Sequence, residues 1–362
     1  MTNKQKETTV IVGGGHAAGA LLTTLLQKNY QQEVVLVGEE PHPPYQRPPL
    51  SKDYLAGEVD QASLYLKPCS VYENSGHQLR LGVRAKEIDR DNKTITLSDH
   101  GTLQYDRLVL ATGSQVRRLN APGADLKGIH YLHDIADSDA LHEELVPGKR
   151  LVIVGGGYIG LEVAASAIKK GVHVTVLEAA ERLMQRVTGP EISAFFYDKH
   201  RSAGVDVRLN TAVTGFEAGD QGHVAGVTLG EGSTIPADTV LVSIGIIPET
   251  ALAEAAGLPC DDGIIVDEFT RTEDPAILAI GDCTQHRNLF FTNRQRLESV
   301  ANAVDQARTA AATLMGEEKP YDSVPWFWSN QYDVRLQMVG LSQNHDQRVI
   351  RGSPLDKAFA VF

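Results

Sequence analysis

Two glycine clusters are the residues of this sequence whose type and spacing point most directly to chemistry. Residues 13–15 and 155–157 are all glycine, and each cluster follows a short β-branched run and precedes an apolar stretch. Glycine backbone lets a pyrophosphate come close, and the start of a following helix offers it unpaired N–H groups and a partial positive charge. The clusters therefore predict two sites for dinucleotides.

The spacing within each cluster gives the small residues separate roles. The first glycine permits a tight turn out of a strand, and the second gives the phosphates access to the backbone. The third position must be small so that helix and strand pack closely, and alanine is accepted there. The two copies place these roles on Gly13, Gly15 and Ala18, and on Gly155, Gly157 and Gly160.

The elements that must position each cluster are a strand, a helix and a second strand. The predicted helices and second strands span residues 16–28, 34–37, 158–170 and 172–177. Glu39 and Glu178 follow at the ends of the second strands, where a carboxylate accepts hydrogen bonds from ribose hydroxyls. One copy alone is compatible with a purely structural turn. Two complete copies predict two bound cofactors, and the usual pair is FAD and a nicotinamide nucleotide.

Two further apolar runs fit strands of a flavin-binding domain. Residues 107–113 and 276–282 each end in a turn that contains small residues. Asp282 closes the second run beside a glycine, where its carboxylate can hold a ribityl hydroxyl. Taken alone, however, Asp282 is better explained as the cap of a following helix.

Composition and charge exclude several classes of protein. The chain has 362 residues, of which 42% are hydrophobic; this suits two or three folded domains and excludes general disorder. Its formal net charge of −12 argues against nucleic-acid binding, which requires a basic surface. Residues 1–9 are polar and the apolar run after them is short, so the sequence predicts neither a signal peptide nor a membrane span.

Three cysteines indicate the compartment. Cys69, Cys260 and Cys283 form no Cys-x-x-Cys pair, and no Cys/His cluster has the spacing of a zinc site. We therefore predict no metal site. Because a sparse, odd cysteine count is typical of reducing compartments, we expect free thiols and a cytoplasmic location.

Taken together, these motifs resemble those of the FAD-dependent NADH:ferredoxin reductases, the family that includes putidaredoxin reductase and the ferredoxin reductases of aromatic-ring dioxygenases. The resemblance follows the family's order along nearly the whole chain, in residues 43–52, 108–113, 155–162, 281–283, 296–300 and 325–329. It implies that electrons pass from NADH through non-covalent FAD to a 2Fe–2S ferredoxin, or to a rubredoxin, for a mono- or dioxygenase system.

The resemblance also implies a fold of the α/β class, with two Rossmann-like dinucleotide-binding domains of the glutathione-reductase type and a C-terminal α+β domain. The expected FAD domain comprises residues 1–113 and 245–319, the NADH domain residues 114–244, and the C-terminal domain residues 320–362. Because the family's C-terminal domain normally continues further, we expect this one to be incomplete.

Individual site residues follow from the same resemblance. FAD is expected to contact Gly13, Gly15, Ala18, Glu39, Lys52, Ala85, Thr112, Gly113, Asp282, Val300 and Trp328. NADH is expected to contact Gly155, Gly157, Tyr158, Ile159, Gly160, Glu178 and Gly245. Lys52 and Glu162 are the expected catalytic residues, which form an ion pair between two domains beside the flavin.

The ion pair also has a physical argument of its own. Hydride transfer makes a flavin anionic, and a nearby ammonium such as that of Lys52 stabilises the charge. A buried ammonium needs a carboxylate partner, for which Glu162 is the candidate. The alternative is that both residues are ordinary surface charges.

Aromatic and basic residues give weaker signals. Tyr158 is either a movable cover over the nicotinamide or a packing residue at a helix start. Trp326 and Trp328 lie two residues apart, so in a strand they share one face; they either mark the flavin edge where a ferredoxin docks or pack in the core. A local basic patch must attract an acidic ferredoxin, and its candidates are Lys67, Arg294, Arg296 and Arg308.

Two other functions are compatible with this fold. A disulfide or peroxide reductase needs a redox cysteine near the flavin, but the relevant early segment, residues 47–52, contains none. A non-catalytic flavoprotein of the apoptosis-inducing factor type is distinguished by slow reduction with NADH and a persistent charge-transfer complex.

Overall fold

The computed structural model describes residues 6–342, 345–356 and 358–362, and within them the chain divides into two units. Unit 1 comprises Met1–Arg47, Ala62–Gln115 and Ile247–Phe327. Unit 2 comprises Pro48–Gln61, Val116–Ile246 and Trp328–Phe362. The chain passes from one unit to the other five times. The first passage lies just before the turn Pro48–Ser51, and the other four lie within Gln61–Leu64, Ser114–Val116, Ile246–Pro248 and Trp326–Gln331.

Unit 1 is built on a five-stranded parallel sheet. In spatial order its strands are Ile277–Ala279, Arg107–Leu110, Thr8–Val12, Glu33–Gly38 and Gln78–Leu81. Helices His16–Gln27 and Val300–Leu314 cover one face, where Ile11 and Leu36 are fully buried. Because the opposite face is also covered, the strands are apolar on both sides, as parallel sheets usually are.

Smaller elements complete unit 1. A three-stranded antiparallel sheet covers the second face of the parallel sheet, and a four-stranded sheet precedes the long helix Val300–Leu314. The strands of these sheets are Ala85–Asp89, Thr94–Leu97, Thr102–Gln104, Cys260–Asp261, Gly263–Val266, Thr284–Asn288 and Phe291–Gln295. Two short helices, Cys69–Asn74 and Ala251–Ala255, also belong to this unit.

Unit 2 repeats the same plan. Its five parallel strands are, in spatial order, Asp206–Arg208, His173–Leu177, Arg150–Val154, Thr239–Val242 and Ile129–His130. A three-stranded antiparallel sheet packs on one face and consists of Val213–Ala218, Val224–Leu229 and Thr234–Pro236. The helices are Asp53–Ala56, Ile135–Glu144, Tyr158–Lys169 and Pro190–Ser202, with 3-10 turns at Pro48–Ser51 and Asp220–Gly222.

The last part of the chain adds strands to unit 2. Trp326–Gln331 pairs with Val334–Val339, and Ile350–Ser353 pairs in antiparallel fashion with Ala358–Val361. A 3-10 turn, Pro354–Asp356, joins the second pair. None of the helices in the described residues is both long and apolar enough to cross a bilayer.

The predicted repeat of strand, helix and strand is confirmed in both units. The helices expected at residues 16–28 and 158–170 are His16–Gln27 and Tyr158–Lys169. The division into units differs from the predicted domains in two segments. Pro48–Gln61 belongs to unit 2, and Trp328–Phe362 also joins unit 2, whereas residues 320–362 were expected to form a C-terminal domain of their own. The assignment of the units to FAD and NADH stays a prediction.

Candidate functional site

The carboxyl ends of the parallel strands of unit 1 meet at one edge, and the first glycine cluster lies there. Gly13 has a φ of +116°, and its N–H donates to the Val37 carbonyl oxygen at 2.8 Å. A Cβ at Gly13 would overlap the carbonyl oxygen of Ala111 on the neighbouring strand. This glycine is therefore required by the fold itself.

Gly15 is different, since neither conformation nor packing requires a glycine at this position. Its φ is −81°, which every residue adopts, and a Cβ there would meet no atom within 4 Å. The bare backbone lies at the start of helix His16–Gln27, where N–H groups favour an anion. Ala18, fully buried in this helix, keeps the helix close to the sheet. The turn therefore fits the pyrophosphate of a dinucleotide.

Asp282 lies at the same edge, three residues after strand Ile277–Ala279. Its half-buried carboxylate forms no hydrogen bond or ion pair among the described residues, and desolvation raises its pKa to about 7, with Glu298 contributing. Hydroxyl donors such as those of a ribityl chain suit this carboxylate. The alternative of a helix cap is wrong, because strand Thr284–Asn288 follows.

The other residues expected to contact FAD in unit 1 lie around this edge. Thr112 donates from Oγ1 to the Glu249 carbonyl oxygen at 2.6 Å, and Gly113 follows with a φ of +69°. Ala85 is buried at the start of its strand, and Val300 begins the helix capped by Ser299, whose Oγ accepts from the Asn302 N–H at 3.1 Å.

Glu39, the predicted ribose carboxylate of unit 1, is 65% exposed and pairs with Arg84 at 3.3 Å. The next residue, Glu40, accepts from the Tyr45 hydroxyl at 2.5 Å and pairs with Arg47 at 2.6 Å. The structure thus leaves Glu39 more accessible than Glu40 at the strand end. The contacts of all these residues with FAD stay predictions.

The second glycine cluster repeats this contrast in unit 2. Gly155 has a φ of +109°, and a Cβ there would overlap the Ser243 carbonyl oxygen. A Cβ at Gly160 would lie 2.5 Å from the Gly155 carbonyl oxygen, so this third glycine lets helix and strand pack closely. Gly157 has an ordinary φ of −81°, and a Cβ there would meet nothing within 4 Å. Only Gly157 lacks a structural reason to be glycine.

Glu178 points into this cluster. Its Oε2 accepts from the Gly156 N–H at 2.7 Å, and its Oε1 accepts from the Ala180 N–H at 2.8 Å. Because each carboxylate oxygen has a further lone pair, Glu178 can still accept from a ribose hydroxyl. Arg182 is already engaged, since it donates to the Thr188 and Gln185 carbonyl oxygens and to Ser193 Oγ.

Three more residues expected to contact NADH lie at this edge of unit 2. The Tyr158 hydroxyl donates to Met338 Sδ at 3.0 Å, and burial raises the pKa of this tyrosine. Ile159 is exposed at the start of the same helix. Gly245 has a φ of +105°, and a Cβ there would lie 3.0 Å from a guanidinium nitrogen of Arg186.

The predicted ion pair of Lys52 and Glu162 is present. Nζ and Oε2 are 2.5 Å apart, and the side chains are only 16% and 5% exposed, so the alternative of two surface charges is wrong. One expectation needs correction, because both residues belong to unit 2 rather than to different domains. Lys52 is carried there by the segment Pro48–Gln61, while Glu162 projects from helix Tyr158–Lys169.

Two serines that sequence reasoning missed complete the surroundings of Glu162. Ser51 Oγ donates to Oε2 at 2.6 Å, and Ser329 Oγ donates to Oε1 at 2.6 Å. Ser329 immediately follows Trp328, which is half-buried in the same strand. Serine is common in every protein, so nothing in its type marks these two. Their only signal is that they lie inside segments already singled out by the resemblance.

Cys260 and Cys283 show no sign of thiol chemistry. All three cysteines are free. Desolvation raises the pKa of Cys260 to about 11 and also raises that of the fully buried Cys283. Reactive cysteines have the opposite property, a lowered pKa that yields thiolate. The structure thus gives no support to a disulfide or peroxide reductase.

Comparison with known proteins places this architecture in an established group. The sequence model of the family described as pyridine nucleotide-disulphide oxidoreductase matches residues 7–307, and that of the reductase C-terminal family matches residues 326–362. The first family uses FAD and NAD(P)H. Both predicted glycine turns lie within the first match.

Individual relatives are similar over most of their length. The ferredoxin reductase subunit of 5,5'-dehydrodivanillate O-demethylase from a Sphingobium species is 48% identical over 91% of this chain and 80% of that protein. Putidaredoxin reductase from Pseudomonas putida is 46% identical over 90% and 78%. The crystal structure of a covalent putidaredoxin reductase–putidaredoxin complex matches with a TM-score of 0.95 at 44% identity, covering 98% of this chain and 86% of the other.

Proposed function

The chain belongs to the pyridine nucleotide-disulphide oxidoreductase family, and we propose that it is an NADH-dependent, FAD-containing reductase that delivers electrons to a small 2Fe–2S ferredoxin serving a mono- or dioxygenase. The observation that carries the proposal is the presence of two dinucleotide-type glycine turns, one in each unit, each with a glycine that neither backbone conformation nor packing requires. The ferredoxin reductases among its relatives support the choice of electron acceptor.

FAD, when bound, supplies the redox chemistry, because it takes electrons in pairs and releases them singly. The chain's own residues provide binding and electrostatics. Gly15 and the start of helix His16–Gln27 bind the pyrophosphate, and Asp282 accepts from a ribityl hydroxyl. Gly157 and Glu178 bind the pyrophosphate and the ribose of NADH in the same way.

Lys52 is proposed to hold its positive charge where negative charge develops during hydride transfer. The Glu162 carboxylate, 2.5 Å away, supplies the opposite charge that this partly buried ammonium requires. Ser51 donates to the same carboxylate oxygen and so leaves Glu162 well satisfied as an acceptor. The pair therefore delivers a fixed ammonium without an unpaired buried charge.

The proposal is tested by anaerobic stopped-flow reduction of the purified protein. The protein should be yellow and release free FAD on acid precipitation, and NADH should bleach it rapidly. Adding an oxidised 2Fe–2S ferredoxin should then restore the flavin spectrum, and a rubredoxin serves as the comparison acceptor. A colourless protein that takes up no FAD, or slow bleaching with a persistent charge-transfer band, would contradict the proposal.

A strong preference for NADH over NADPH is expected from the second glycine turn. The Glu178 carboxylate accepts from a ribose 2′-hydroxyl but repels a 2′-phosphate. Arg182, the nearest cation in the sequence, is held by three acceptors of its own. We expect kcat/KM for NADH to exceed that for NADPH by about a hundredfold, equivalent to about 2.7 kcal/mol. Comparable values would show that Glu178 does not contact the ribose.

Turnover with an acidic ferredoxin is expected to fall as salt is added, because a local positive charge must overcome the net charge of −12. Among the four candidates, Arg296 is only 13% exposed and pairs with Asp262 and Glu298, so it is no longer a candidate. Arg308 pairs with Asp305. Lys67 and Arg294 are exposed and form no ion pair within the described residues.

The corresponding experiment compares kcat/KM for the ferredoxin at rising ionic strength. Lys67→Glu and Arg294→Glu together should lower it by about tenfold at low salt and flatten the salt dependence. Reduction of a small neutral acceptor controls for damage to the flavin site. The matched charge control is Lys86→Glu together with Lys93→Glu, two exposed lysines that are not among the four candidates. A salt-independent kcat/KM in the unaltered protein would rule out electrostatic docking.

A cytoplasmic location is also part of the proposal. It is supported by the three free cysteines, one of them fully buried, since such thiols are typical of proteins in reducing compartments.

A further inference from the structure

A buried chain of hydrogen bonds leads away from Glu162 within unit 2. Ser329 Oγ contacts Glu162 Oε1 at 2.6 Å, and Gln331 Nε2 contacts Ser329 Oγ at 3.1 Å. Gln331 Oε1 lies 2.8 Å from His200 Nε2, and His200 Nδ1 lies 3.0 Å from the Tyr332 hydroxyl. These hydrogen bonds therefore join helix Tyr158–Lys169 to helix Pro190–Ser202 through strand Trp326–Gln331.

The donor and the acceptor of each hydrogen bond can be assigned in turn, starting from the Glu162 carboxylate. Glu162 as a carboxylate only accepts, so Ser329 uses its single proton on Glu162. Gln331 must then donate to Ser329, which turns its carbonyl oxygen towards His200 and requires an N–H at Nε2. In neutral His200 the other nitrogen accepts from the Tyr332 hydroxyl.

The state of the imidazole agrees with this direction. Burial lowers the pKa of His200 to about 4, so the ring is neutral near pH 7. Lys199 opposes a positive charge there as well. A neutral ring with its proton on Nε2 keeps the polarity of the chain uniform, with every donor pointing towards Glu162.

The polar residues of this hydrogen-bond chain are buried to an unusual degree. Ser329, Gln331 and His200 are almost fully buried. Side chains two apart in a strand share a face, so Ser329 and Gln331 lie on one face while Trp328 and Asn330 lie on the other. Buried polar groups that are fully satisfied make a rigid arrangement. The strand thus presents a rigid polar face to Glu162.

The two oxygens of Glu162 have different partners. Oε1 accepts from Ser329, at the end of the chain, whereas Oε2 accepts from Ser51 and Lys52. A carboxylate held at one oxygen cannot rotate freely about its terminal bond. The position of Oε2, and with it that of the ammonium, therefore depends on Ser329 as well as on Ser51.

We propose that Ser329, Gln331 and His200 are positioning residues that orient the Glu162 carboxylate so that Oε2 holds the Lys52 ammonium in its working position. This inference rests on the catalytic role proposed above for the ion pair. It adds that the role depends on residues that act through the orientation of the Glu162 carboxylate.

The first test is the rate of flavin reduction at saturating NADH in the FAD-loaded protein. Ser329→Ala should lower this rate by about tenfold, because it removes a hydrogen bond to a charged group, and Gln331→Met by about threefold. The KM for NADH and the FAD content should stay unchanged. Ser329→Thr keeps the hydroxyl and should restore most of the rate. Asn330→Met, on the exposed face of the same strand, is the matched control.

A background variant shows whether these residues act through Glu162. In Glu162→Gln the pair is already broken, so adding Ser329→Ala should lower the rate no further. Equal losses in both backgrounds, or a wild-type rate in Ser329→Ala, would overturn the inference and leave the role of the pair intact. A wild-type rate in Glu162→Gln itself would instead contradict the proposed role of the pair, and the inference with it.

A second readout is independent of turnover. Urea unfolding of the FAD-loaded variants, followed by circular dichroism, gives a double-mutant cycle for Ser329→Ala and Glu162→Gln. The loss of stability from Ser329→Ala should be smaller in the Glu162→Gln background, since the two residues share a bond. Strictly additive losses would show that the residues are not coupled and would also overturn the inference.

Discussion

Lys52→Met is expected to slow flavin reduction by NADH about a hundredfold at saturating NADH, because removal of one positioned charge-stabilising group has an effect of this order. Methionine keeps the length of the side chain and removes its charge. The FAD content should not change, since the glycine turn and Asp282 of unit 1 are untouched. Stopped-flow spectroscopy under anaerobic conditions measures the rate directly.

Glu162→Gln is expected to slow the same step, because the ammonium loses the buried carboxylate that pairs with it and holds it in place. The loss in the double variant should be smaller than the two separate losses combined, since both changes break one interaction. Lys169→Met, at the exposed end of the same helix as Glu162, is the control for loss of a positive charge. Wild-type rates in both single variants would show that the pair has no part in hydride transfer.

The fold was predictable because its signals are local and strong. A glycine cluster between a β-branched strand and an apolar helix specifies a turn, and two copies specify two sheets. The limits of the helices were predicted to within one residue. The segment Pro48–Gln61 was assigned differently, since no local pattern shows which distant residues a connecting segment will pack against.

The site was predictable only where residue type and position are both unusual. The ion pair of Lys52 and Glu162 was predicted from family resemblance and from the need of a buried ammonium for a carboxylate partner, and the structure places the two side chains in contact. Ser329, Gln331 and His200 could not be found in this way, because their burial and bonds depend on tertiary packing. Arg296 is the opposite case, a residue that its type marked as a candidate and its packing excludes. Its charge suggested an exposed docking patch, but the side chain is largely buried and pairs with Asp262.

The addition of one methyl group is expected to have different effects at Gly155 and Gly157. At Gly155 it should lower the stability of the fold, and at Gly157 it should weaken the binding of NADH. Gly155→Ala places a Cβ against the Ser243 carbonyl oxygen at a φ of +109°. It should destabilise the protein by about 3 kcal/mol or more, because the backbone would be strained and the site overpacked. Thermal or urea unfolding measures this loss. A variant that yields little folded protein would also agree with the prediction.

Gly157→Ala should instead leave the stability and the FAD content unchanged, since its φ of −81° suits alanine and its Cβ would meet nothing within 4 Å. The methyl group occupies the space where the pyrophosphate approaches the backbone, so we expect the KM for NADH to rise by about tenfold or more. Steady-state kinetics with a small one-electron acceptor measures it. A normal KM would mean that NADH does not approach this turn, whereas a loss of stability would mean that Gly157 is needed by the fold. Gly13→Ala and Gly15→Ala repeat the comparison in unit 1, where the second variant should fold but release FAD.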